Sequence, residues 1–122
     1  MPDDLWPTNI ADSDLVTPIS ILKQQAALLG EKTKELVKGD IVSQASGNLF
    51  IHSFFLLAPT LSYRYELFQV THHVNFYPLN IRYINNTYQL KSESEFKDKL
   101  KEIFSAPHTL NTVHSILAQV RA

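Results

Sequence analysis

A chain of 122 residues with 44% hydrophobic and 19% charged side chains has the size and balance of one globular domain, which argues against intrinsic disorder. Eleven basic residues against twelve acidic ones leave a formal net charge of −1, without the basic excess that nucleic-acid binding calls for. There is no cysteine, so disulfides, thiolate catalysis and cysteine-based zinc sites are excluded.

The opening stretch, MPDDLWPTNIADSD, is acidic and broken by Pro2 and Pro7, unlike a secretion signal. With the lack of cysteine, this suggests a cytoplasmic protein. Residues 1–16 read as an extended arm in front of a single domain covering 1–122. Leu5 and Trp6 stand out in it. A lone Trp in a polar arm is expected to dock, because leaving it in water forgoes roughly 2–3 kcal/mol. Its own domain is the first candidate host and a neighbouring subunit the second.

Thr17-Pro18 has the chemistry of a helix start: a hydroxyl for the exposed amides, then a ring already set for the first turn. Leu22, Ala26, Leu29, Thr33 and Leu36 recur at alternating spacings of four and three, which puts them on one stripe. With Lys34 and Lys38 at the negative end of the dipole and Gly39 as cap, the spacing predicts a long helix over Pro18–Lys38.

Asp40 to Ser46 is weakly strand-like and suits a sheet edge, with Gly47-Asn48 as a turn. Leu49 to Ala58 and Leu61 to His72 are dense in aromatic and β-branched residues and read as a central hairpin turning at Pro59-Thr60. The tightest closure pairs Leu57 with Ser62, Phe55 with Arg64, Ser53 with Glu66 and Ile51 with Phe68. The opposite face then carries Phe50, His52, Phe54 and Leu56 against Gln69, Leu67, Tyr65 and Tyr63. Both faces are apolar over much of their length, so something must cover the second one. His73 to Pro78 is a connection in which Val74 and Phe76 extend a strand. Leu79–Ile84 and Thr87–Lys91 make a second hairpin around Asn85-Asn86.

Ser92-Glu93-Ser94-Glu95 is a capping box opening a helix with Phe96, Leu100, Ile103 and Phe104 on its apolar stripe. Pro107 interrupts it. A last helix carries Leu110, Val113, Leu117 and Val120. The expected fold is α+β in two layers: a long N-terminal helix, an antiparallel sheet of about five strands, and two C-terminal helices.

Chemistry is sparse. There is no glycine-rich phosphate loop and no HExxH pattern. His72-His73 point to opposite faces of a strand, His52 falls opposite Leu67, and His108 and His114 are badly spaced for one helical face. No metal site or cofactor is expected. Asn85-Asn86-Thr87 matches a glycosylation pattern but reads as a turn. Ser53, Arg64 and Glu66 form a polar group in otherwise apolar strands. They make either a structural Arg64–Glu66 pair or the polar floor of a ligand cleft, where Arg64 meets an anion. Tyr63 and Tyr65 on the sheet, and Trp6 in the arm, are candidate interface residues. The longest apolar run, Leu49 to Pro59, is too short to cross a bilayer, so no membrane partner is expected.

These features favour a non-enzymatic protein-interaction module that self-associates, as an adaptor, regulatory subunit or inhibitor. The alternative is a small-ligand-binding domain or enzyme with a pocket between sheet and helices near Arg64 and Glu66.

Overall fold

The computed structural model describes residues 3–122; Pro2, one of the two prolines expected to break the arm, lies outside them. Helix α1 spans Pro18–Lys32. Strands β1 (Lys38–Ser46), β2 (Leu49–Ala58), β3 (Tyr63–His72), β4 (Leu79–Tyr83) and β5 (Asn86–Leu90) follow, then α2 (Glu93–Ser105) and α3 (Pro107–Val120). The five strands form one antiparallel sheet in sequence order. The class is α+β, with the two C-terminal helices where their stripes place them.

Helix α1 starts where Thr17-Pro18 puts it. Thr17 Oγ1 accepts from the Ser20 amide at 3.0 Å, and Ser20 Oγ accepts from the Thr17 amide at 3.2 Å. The helix is not long: it stops at Lys32 rather than Lys38. Lys34 and Glu35 both take left-handed backbone, with φ of 53° and 65°. The Thr33 hydroxyl accepts from the Val37 amide and donates to the Val37 carbonyl. This reversal drops Val37 into the core and sends Gly39 into β1 beneath α1. A Cβ on Gly39 would stand 2.6 Å from Ala26 Cβ, so glycine permits the close approach of helix to strand. Its role is packing, not capping.

The central hairpin also departs from the expected pairing. A 3₁₀ turn over Pro59–Leu61, followed by Ser62 at φ 50°, delays pairing until Ala58 meets Tyr63. Between Phe54 and Phe55 the ladder shifts again, leaving Leu67 as an extra residue. Glu66 therefore opposes Phe55, Arg64 opposes Leu57, and Ser53 opposes Gln69. The bulge turns two consecutive residues, Leu67 and Phe68, toward the core, where both are buried. The second hairpin turns one residue early, at Ile84-Asn85, with Tyr83 facing Asn86 and Ile84 at φ 57°. Residues between His72 and Leu79 form no strand, and Val74 is exposed.

One core serves the domain. Phe54 stacks on Phe68 at 4.9 Å between ring centroids, with Phe104 tilted against both. Ile21, Leu22 and Ala26 of α1, Phe96, Leu100 and Ile103 of α2, and Ile116 of α3 close over them. All three helices thus contribute to the same core, on the sheet face that carries Phe54, Leu56, Val70, Ile81 and Leu90. Leu29, placed at the centre of the α1 stripe, is only half-buried.

Candidate interaction surface

Alternation along the strands sends every second side chain away from the helices. On that far face β1 places Val42 opposite Ser53 of β2, and Ile51, Phe55 and Leu57 flank Ser53 along β2. Ile51, Phe55 and Leu57 belong to none of the packing in the core, and Val42 is 44% exposed. The helices form one layer, and among the described residues this face has no second one.

The three residues of the expected polar group share this face, but they do not act together. Ser53 Oγ accepts from Gln69 Nε2 at 3.2 Å. The Arg64 guanidinium lies over the Phe55 ring, 4.0 Å from its centroid, a cation–π contact. Glu66 pairs with Arg82 of β4 at 3.6 Å, not with Arg64. The reason is the bulge and the wider turn, which set Glu66 beside the Gln69–Arg82 rung instead of opposite Ser53. Arg64 has no carboxylate partner among the described residues. Glu66 and Arg82 do line an open hollow at the free edge of β3, with Tyr65 and His108 on its other side.

Tyr63 and Tyr65 sit on the helical side. The Tyr65 hydroxyl meets His108 Nε2 of α3 at 3.0 Å, and both tyrosines line a groove between the central hairpin and α3. Trp6 does not dock on its own domain. It is 71% exposed, and Leu5, Ile10, Leu15 and Val16 of the arm are exposed with it.

Two features escaped the sequence. The first is an apolar cleft of about 280 Å³ between α1 and α3. Phe54, Leu56 and Leu67 floor it, Leu28, Leu29, Phe104, Leu110 and Val113 wall it, and Lys32 is its one charged lining residue. The apolar stripes of α1 and α3 contained Leu28, Leu29, Leu110 and Val113, but not the gap between the helices.

The second is a buried histidine pair. His52 Nε2 and His72 Nε2 lie 3.0 Å apart, although the expected register kept these residues far from each other. In the observed register His72 opposes Phe50, one diagonal step from His52 on the same face. Ser43 Oγ lies 2.7 Å from His52 Nδ1, and His72 Nδ1 donates to the His73 carbonyl. Since that carbonyl only accepts, the neutral pair has one consistent proton order: Ser43 donates to His52, and His52 donates to His72. Burial pushes the His52 pKa from 6.5 down to about 4, helped by His72 and then Lys23. Among the described residues no three His, Asp or Glu side chains gather as a metal site would need.

No protein-family model, curated protein or solved structure matches this chain. No described helix is long and apolar enough to cross a membrane.

Proposed function

We propose that this chain is a small cytoplasmic, non-enzymatic protein-interaction module that works as a homo-oligomer. An adaptor, a regulatory subunit and an inhibitor all fit that description. The observation that carries the proposal is the sheet face of Val42, Ile51, Phe55 and Leu57, which no described helix covers, with Val42 exposed and the other three half-buried. Soluble monomers rarely leave a contiguous apolar patch in water, and a closed two-fold dimer is the commonest way to bury one. Arg64 held over Phe55 gives such a patch a polar rim.

Sedimentation across a tenfold range of micromolar concentration tests it. A monomer–dimer equilibrium is expected, and Phe55→Lys should shift it to monomer. A single species at the 13.9 kDa chain mass, unchanged on dilution and in the variant, rejects the proposal.

The second reading, a small-ligand-binding domain, draws its support from the α1–α3 cleft rather than from Arg64 and Glu66. The cleft is apolar and concave, as ligand sites are, but lies just under the roughly 300–1,000 Å³ usual for them.

A further inference from the structure

The geometry points to exchange of the N-terminal arm: Leu5 and Trp6 of one copy seat in the α1–α3 cleft of a second copy. This rests on self-association as proposed above, with the uncovered sheet faces of the two copies against each other.

The arm is a segment without a host. Leu5, Trp6, Ile10, Leu15 and Val16 are all more than half exposed. Its hydrogen bonds are local: the Trp6 amide donates to Asp4, the Ile10 amide to the Pro7 carbonyl, and the Asp12 amide to the Asn9 carbonyl. Among the described residues these bonds join the arm only to itself, and none reaches the body of the domain. The cleft is apolar and walled by helices on both sides. Its volume suits one or two side chains better than a whole small molecule, and a buried aromatic anchor in an apolar pocket is the usual centre of a protein interface.

Charge matches the two. The arm carries Asp3, Asp4, Asp12 and Asp14, and no basic residue precedes Lys23. None of these aspartates makes an ion pair among the described residues, and neither does Lys32 at the cleft. Asp3 and Asp4 stand directly beside Leu5 and Trp6, so a seated indole brings two carboxylates toward Lys32. Once its two turns open, the arm has the reach as well. The eleven residues from Trp6 to Val16 span at most about 36–40 Å when extended. Crossing from one helical layer through two facing sheets to the other helical layer takes about three spacings of roughly 10 Å.

Trp6 is the one tryptophan of the chain, so its fluorescence reports directly on the arm. The full chain is examined by sedimentation and by Trp emission over the same concentration range, with iodide as quencher. The expected result is a blue shift and a several-fold loss of quenching that rise in step with dimer formation. Leu110→Glu and Lys32→Glu, both at exposed positions on the cleft, should restore the water-exposed emission, with circular dichroism confirming the fold. Trp6→Ala should weaken the dimer at least tenfold. A dimer whose Trp6 stays water-exposed, or stays blue-shifted in both cleft variants, overturns arm exchange while self-association stands. A concentration-independent blue shift in a monomer places the arm in its own cleft and overturns exchange. A monomer with exposed Trp6 at every concentration overturns both proposals.

Discussion

His52 and His72 meet Nε2 to Nε2 at 3.0 Å inside the domain, with the Ser43 hydroxyl and the His73 carbonyl closing the two ends of the chain of hydrogen bonds. Both side chains are buried, and for His52 that burial disfavours the charged form. The contact joins β2 to the end of β3, where the sheet is bordered by the Phe50 and Phe76 rings.

That arrangement makes stability depend on pH. The folded pKa of His52 lies near 4, below its ordinary 6.5. A depressed histidine contributes stability that is present above the unfolded pKa and is lost as pH falls from 6.5 toward 4. The loss between pH 7 and pH 5 should be about 2 kcal/mol by proton linkage. Urea unfolding at the two values measures it. The same series on His52→Gln should be flatter, and an equal slope in both proteins would remove His52 as the cause.

At Gly39 strand β1 passes close under Ala26 of α1. Gly39→Ala puts a methyl 2.6 Å from Ala26 Cβ, where the helix backbone cannot give way cheaply. A loss of roughly 1–3 kcal/mol is expected from overpacking. Thermal unfolding of the variant checks it, and an unchanged midpoint would mean that α1 sits farther from β1.

Ile84 is a β-branched residue in left-handed backbone at φ 57°, and 54% of its surface is exposed. Its strain costs about 1–2 kcal/mol, and little packing offsets it. Ile84→Gly should therefore stabilise the second hairpin by roughly 0.5–1 kcal/mol, less than the full strain because glycine loses more entropy on folding. A lower midpoint of unfolding would show that Ile84 packs on something that a single chain lacks.

Tyr77 has a buried hydroxyl with no hydrogen-bond partner among the described residues, and burial, then Glu93, pushes its pKa up to about 12. Removing an unpaired buried hydroxyl spares its desolvation cost. Tyr77→Phe should leave stability unchanged or raise it by about 1 kcal/mol. A clear loss in chemical denaturation would reveal a partner for that oxygen.

Ser92 caps α2, its hydroxyl accepting from the Glu95 amide at 3.1 Å. The Glu95 carboxylate reaches the Lys91 amide rather than that of Ser92. Ser92→Ala should still cost about 1 kcal/mol, since the hydroxyl half of the cap is in place. Equal denaturation midpoints at an unchanged slope would place the start of the helix elsewhere.

Local chemistry was legible in the sequence because it depends on neighbours a few residues apart. Thr17-Pro18 and Ser92 open helices through hydrogen bonds within one turn, and Pro107 separates α2 from α3. The density of aromatic and β-branched residues marked β2 at its observed ends, Leu49 and Ala58. Alternation also placed Ser53, Arg64 and Glu66 on one face, because a slip of two residues preserves parity. Three things needed the tertiary structure. The end of α1 was decided by Val37 entering the core and Gly39 passing under Ala26, contacts that outweigh the helical spacing through Leu36. The rung-by-rung register was decided by a 3₁₀ turn and a bulge, which brought His52 to His72 and gave Glu66 to Arg82. The placement of all three helices on one face was decided by how their stripes share a single core around Phe54 and Phe68. Sequence periodicity states that a face is apolar. Only the packed chain shows which apolar faces find each other and which are left over.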